Sequence, residues 1–307
     1  MNTLKTILVA VDFSTGSRAA LDQASRIARL QGASLHVLHV VNSDAVATLA
    51  DSREATYETQ ATTASEGAKA ALIVWMSHSQ TPADTQTTIA VGTPLHEILE
   101  HVRSLKADLL VAGIAGAGNT PFGAGSISGK LARKSPSRVL LVRADHPQPF
   151  RKIVACIDYS ETSREVVAAA RRIAVKDSAS VDFLHVWQEP RVAAPSGEFW
   201  MESTYPALVF SPAERQQHLE NLRKGLHEFV KDAAQGIQST EVLKEASNYG
   251  NGIADHAQEC HADLIIVGGK GRTNLRYVLL GSTAERLLKR MPCSVLVIKP
   301  TLEEKAQ

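Results

Sequence analysis

Leu264-Ile-Ile-Val-Gly268-Gly-Lys270-Gly271-Arg272-Thr-Asn-Leu-Arg276-Tyr-Val-Leu-Leu-Gly281-Ser282-Thr283 joins a short unbroken apolar run to a segment punctuated by glycine. Four consecutive aliphatic residues bounded by turn-formers read as a strand buried on both faces, the pattern of a parallel sheet. The glycines therefore fall at the carboxyl end of that strand. Glycine lets the backbone take positive φ and approach a ligand closely, and exposed N–H groups ahead of a helix make an anion site. A phosphate is the expected guest. The spacing, Gly-x2-Gly-x9-Gly-Ser, is neither the P-loop nor the dinucleotide fingerprint.

Working outward, the chain repeats itself. Lys5-Thr-Ile-Leu-Val-Ala-Val-Asp12-Phe-Ser14 returns as Arg151-Lys-Ile-Val-Ala-Cys-Ile-Asp158-Tyr-Ser160, and Leu38-His-Val40 as Leu184-His-Val186, both 146 positions later. Lys106-Ala-Asp-Leu-Leu-Val-Ala-Gly113 returns as His261-Ala-Asp-Leu-Ile-Ile-Val-Gly268 at an offset of 155. Two homologous halves account for all of these. In each, apolar strands alternate with helical periodicity, and Ser14 or Ser160 stands where a helix N-cap belongs, which predicts an α/β fold with doubly wound parallel sheets. The Pro-bearing stretch Asp145-His-Pro-Gln-Pro149 marks the boundary, dividing the chain into residues 1–147 and 148–307.

With 44% apolar and 21% charged residues and a net charge of +1, the 307-residue chain reads as globular, with no electrostatic reason to expect nucleic acid or membrane as partner. Three scattered cysteines, Cys156, Cys260 and Cys293, suit a reducing compartment rather than a disulfide framework. The first residues run straight into a strand with no signal-peptide pattern, so a cytoplasmic location is expected. No histidine pair shows metal-ligand spacing and no nucleophile elbow is present, so neither a metal nor a catalytic residue is assigned. His39 and His185, inside strands, read as structural, Cys156 as inert in a core strand, and Cys293 as half-exposed.

The strand ending Asp-Tyr-Ser, the strand ending Leu-His-Val, the Ala-Asp-Leu-Ile-Ile-Val-Gly strand and the Gly-x2-Gly-x9-Gly-Ser loop together resemble the universal stress protein family in its tandem form. The second half resembles that family's ATP-binding branch. The resemblance implies two five-stranded, doubly wound parallel sheets, Rossmann-like and adenine nucleotide alpha hydrolase-like, arranged as a pseudo-twofold tandem. The halves would pair through their last strands, Val139 to Val142 and Val295 to Ile298, with a homodimer of whole chains as a further option. It also implies that Asp158 and Val186 face an adenine base, Gly268 the ribose, and Gly271, Gly281, Ser282 and Thr283 the phosphates. Lys270, Arg272 and Arg276 are additional cations in that loop. ATP, with Mg²⁺ as a candidate companion, is the implied ligand. The plainer alternatives are that Asp158 caps a turn and that Gly281-Ser282 merely starts a helix.

The first half departs from this pattern. Its loop, Gly113-Ile-Ala-Gly116 through Gly125-Ser126, is one residue shorter and holds a proline. One missing residue displaces N–H groups by up to about 3.3–3.6 Å, more than a hydrogen bond tolerates. The first site is accordingly read as degenerate, although Asp12, Val40, Gly113, Gly116, Gly125 and Ser126 remain secondary candidates. Ser43 to Met76 is read as holding a long helix, and the aromatic-rich segment 188–212 as packing over the other half, with a lid over the nucleotide crevice as the alternative. The expected function is that of a stress-response adenine-nucleotide-binding regulator or scaffold. The competing readings are a slow ATP hydrolase and a scaffold that binds no nucleotide.

Overall fold

The computed structural model describes residues 4–114, 127–145, 149–189, 210–269 and 280–299. In the first half, β1 (Thr6–Val11), α1 (Thr15–Gln31), β2 (Ser34–Asn42), α2 (Ser43–Ser52), α3 (Tyr57–Met76), β3 (Gln86–Gly92), α4 (Pro94–Ser104), β4 (Leu109–Ile114), α5 (Ile127–Lys134) and β5 (Arg138–Arg143) follow in order. The second half continues with β6 (Lys152–Cys156), α6 (Glu161–Asp177), β7 (Ser180–Trp187), α7 (Pro212–Ala234), β8 (Ser239–Glu245), α8 (Tyr249–Glu259), β9 (Leu264–Gly268), α9 (Ser282–Arg290) and β10 (Ser294–Ile298). No helix among the described residues is long and apolar enough to cross a membrane.

The ten strands form one sheet in the order β3-β2-β1-β4-β5-β10-β9-β6-β7-β8. Within each half every pairing is parallel, and the two five-stranded sheets join where β5 and β10 pair antiparallel, with Leu140 opposite Leu296. The expected last-strand pairing is thus present within one chain. It hides two edges that would otherwise expose unpaired backbone groups. Successive side chains of a strand point to opposite faces, and the aliphatic runs fill both. Ile7, Val9, Ile153 and Phe183 face one helical layer, while Leu8, Leu110, Val154 and Ile265 face the other. Each fully buried side chain of this size contributes about 1.5–3 kcal/mol relative to exposure.

Both predicted serine caps are in place: Ser14 Oγ accepts from Ser17 N–H at 3.1 Å, and Ser160 Oγ from Ser163 N–H at 3.3 Å. The stretch from Ser43 to Met76 holds the expected long helix, α3, with the shorter α2 ahead of it. Glu54 takes a left-handed φ of 51°, and Thr56 caps a new helix by accepting from Thr59 N–H. A side-chain acceptor at Thr56 offers the backbone a start signal that overrides the helical propensity of its neighbours. Cys293 is fully buried rather than half-exposed, and burial pushes the thiols of both Cys293 and Cys156 up, so both are inert. Polar contacts also tie the halves together. Arg26 holds Asp177 through two bonds of 2.6 and 2.9 Å, and Lys299 Nζ donates to the carbonyl oxygens of Arg133 and Ser135.

Candidate functional site

The carboxyl ends of β6, β7 and β9 surround a cavity of about 430 Å³ lined by Asp158, Val186, Gly268, Gly281, Ser282 and Thr283. Six residues from four separate segments, all singled out in the sequence, therefore converge. Parallel connectivity explains why. Every β-to-α crossing in a doubly wound sheet leaves on the same side, so the loop ends of adjacent strands share one crevice. Lys270, Gly271, Arg272 and Arg276 lie outside the described residues.

At one wall of the cavity is the start of α9. Gly281, its N-cap, has φ −68° and ψ 150° and offers no side-chain cap. The N–H groups of the first turn have no intrahelical acceptor and carry the positive end of the helix dipole. Gly281 N–H is committed differently: it donates to Gly269 O at 2.8 Å, while Gly269 N–H donates to Ile298 O at 2.7 Å. Gly281 does not need positive φ; its value here is the absence of a side chain at the helix start. The close seat of α9 depends on another glycine, since a Cβ on Gly250 would stand 2.9 Å from Thr283 O.

At another wall stands Asp158. Its Oδ1 accepts from Ser160 N–H at 3.0 Å and from the hydroxyls of Ser160 and Ser163, each at 2.6 Å. This folds the chain into a tight turn in which Tyr159 takes φ 63°. Asp158 is thus a turn-forming residue that also lines the cavity. His185 has the structural role expected, because its Nδ1 can only donate to Ile157 O, 2.8 Å away, and its ring packs on Tyr159. Trp187, His218, Leu222 and Tyr249 also line the cavity and were not anticipated. Trp187 directly follows the Leu-His-Val strand end, which is a usable signal. His218 has none, because α7 reads only as an amphipathic helix.

The first half places Asp12, Val40 and Gly113 at equivalent positions, whereas Gly116, Gly125 and Ser126 lie outside the described residues. Asp12 Oδ1 likewise accepts from Ser14 N–H at 3.0 Å. Burial pushes the Asp12 carboxyl up, but hydrogen bonds from Ser14 and Ser17 outweigh it and hold the group below its ordinary value. Here α1 presses directly on the end of β4: a Cβ on Gly113 would lie 2.2 Å from the backbone carbon of Gly16. The second half has Thr162 where the first has Gly16.

A second polar cluster lies apart from the cavity. Asp182 on β7, His256 on α8 and Cys260 at its end bring potential metal-ligand atoms within 4.8 Å of one another. The His256-x3-Cys260 spacing was a legible signal that an inspection of histidine pairs passes over. Asp182, however, already receives Lys152 Nζ at 2.6 Å on one oxygen and His256 Nε2 at 2.9 Å on the other. Hydrogen bonds to Asp182 and Cys260 push the His256 imidazole up to about 9. Two cations facing one buried carboxylate form an ion-pair network and oppose a third, metallic charge.

The model of the universal stress protein family matches residues 3–143 and again 149–299. Universal stress protein MJ0531 of Methanocaldococcus jannaschii is 34% identical over 157 residues, spanning 50% of this chain and 85% of its own length. Universal stress protein YxiE of Bacillus subtilis is 33% identical over 159 residues, spanning 49% of this chain and 99% of its own. A crystal structure of a universal stress protein from Archaeoglobus fulgidus superposes with a TM-score of 0.65 at 17% identity, covering 96% of this chain and 98% of that one, which shows the shared fold.

Proposed function

The chain belongs to the universal stress protein family, with two family domains in tandem, and we propose that its second domain binds an adenine nucleotide, ATP foremost, as a regulator in a stress response. The observation that carries this reading is the single cavity that has the uncapped start of α9 on one wall and Asp158 with Val186 on another. A helix start without a side-chain cap suits phosphate, and a carboxylate suits the exocyclic amine of adenine. Mg²⁺ would accompany the phosphates as counter-charge. The pressing of α1 on Gly113 supports a first domain without equivalent affinity.

Hydrolysis is the second reading. Phosphoryl transfer to water uses a carboxylate or water-positioning group beside a metal at the γ-phosphate. Among the described lining residues Asp158 is the only carboxylate, and its Oδ1 is held by Ser160 and Ser163. Binding is therefore preferred over catalysis.

Calorimetric titration of the full chain with ATP, with and without Mg²⁺, tests the proposal, alongside native mass spectrometry of the freshly purified protein. One site per chain is expected. No binding, or two equivalent sites, would overturn the assignment to the second domain.

A further inference from the structure

On the face of the sheet covered by α1 and α6, these two helices straddle the pseudo-twofold axis and leave a cavity of about 170 Å³ over the β5–β10 junction. Its floor is the cross-paired Leu140 and Leu296, and its walls include Ile27, Ile173 and Phe150. Neither half forms it alone. An apolar cavity of about 150 Å³ is enough to hold a benzene-sized molecule.

Two of the polar residues in its wall carry buried atoms without a partner. Arg138 is 4% exposed, and its Nε and Nη2 make no hydrogen bond. Gln23 is fully buried and its Nε2 has no partner, while its Oε1 is used by Arg26. Nε and Nη2 form one edge of the guanidinium, the pair of parallel donors that matches a carboxylate in bidentate fashion. Glu165 Oε2 stands 3.6 Å from Nη2, close enough for Coulombic attraction but too far for a hydrogen bond. Arg172 and Lys176 add positive charge at the rim, and Arg26 is already paired with Asp177. Desolvation, together with the charge of Arg138, lowers the Arg172 pKa. Water alone suits such a space poorly, since a buried water needs two to four polar partners and most of these walls are hydrocarbon.

We propose that this interdomain cavity binds a small amphipathic monocarboxylate, its apolar body of about six or seven carbons lying over Leu140 and Leu296 and its carboxylate received by Arg138 and Gln23. The site is independent of the nucleotide cavity. It is a product of the tandem arrangement, because its floor and both walls come from different halves.

Calorimetric titrations of the full chain with heptanoate and with benzoate test this, and their comparison shows whether the body is a chain or a ring. Heptan-1-ol and heptylammonium are the controls. One carboxylate should bind per chain, with the alcohol and the amine weaker by about tenfold or more, since a charge-assisted bidentate contact is lost or reversed. Glu165→Gln removes the internal rival for Arg138 and should tighten carboxylate binding severalfold. Ile173→Trp fills the cavity and should abolish it, while ATP titrations stay unchanged in both variants. No saturable binding at millimolar carboxylate, equal affinity for heptan-1-ol, or binding that survives Ile173→Trp would each overturn the proposal. Should Ile173→Trp fail to fold, weaker or unchanged carboxylate binding in Glu165→Gln would do the same.

Discussion

Gly281 N–H donates to the carbonyl oxygen of Gly269 at 2.8 Å, so the two ends of the glycine loop are clasped together across twelve positions of sequence. The clasp fixes the start of α9 against the end of β9, whatever conformation the intervening residues take. That leaves the first-turn N–H groups of α9 as a rigid element of the cavity wall.

Replacing Ser282 by proline tests those N–H groups. Ser282 is the first residue of α9, a position that tolerates proline, and Gly281 at φ −68° and ψ 150° already has the backbone that a following proline demands. The fold should persist by circular dichroism. ATP affinity should fall by about tenfold, the loss of one charge-assisted hydrogen bond. Unchanged affinity would remove α9 from the phosphate site.

Asp158→Asn separates the two roles of that side chain. The turn needs an acceptor at Oδ1 for three donors, and asparagine supplies one while turning its amide NH₂ elsewhere. Stability should therefore stay within about 1 kcal/mol of wild type, whereas Asp158→Ala should lose about 1–2 kcal/mol with the turn. If the second carboxylate oxygen meets the adenine amine, Asp158→Asn should erase or invert the ATP over GTP preference in competition titrations. A preference left intact would make Asp158 a turn residue only.

The His256–Asp182 pair makes stability depend on alkaline pH. His256 is raised from 6.5 to about 9 on folding, so its contribution is fully present below pH 6.5 and is lost as pH rises through about 9. The loss should be on the order of 1–3 kcal/mol, limited because Lys152 remains on Asp182. Urea midpoints of wild type and His256→Gln, measured across that window, should converge at its alkaline end. Parallel curves would contradict the pairing.

A fragment ending at residue 145 should dimerise. It would expose the β5 edge, where Val139 and Leu141 pair with Val297 and Val295 of β10 in the whole chain. An apolar edge strand of this kind recruits another strand, and a second copy supplies one of the same sequence. Light scattering on the fragment should give twice the chain mass. A stable monomer would show that the β5–β10 ladder holds the halves together only because they are covalently linked.

The sequence by itself determined the duplication, the alternation of strands and helices, the serine caps and the side of the sheet on which a ligand would lie. These follow from local periodicity and from the shared direction of parallel strands, both properties of short stretches. That Asp158, Val186, Gly268 and Gly281 would line one cavity was legible because each stands at a strand end or a helix start on that side. Only the tertiary structure decided that Gly16 closes on Gly113, that Asp182 takes both Lys152 and His256, and that Arg138 and Gln23 meet at an apolar cavity on the twofold axis. Those contacts join residues from about 30 to more than 110 positions apart in the sequence. They are set by how helices and strands distant in sequence pack across the sheet, and no pattern within a single helix or strand carries that information.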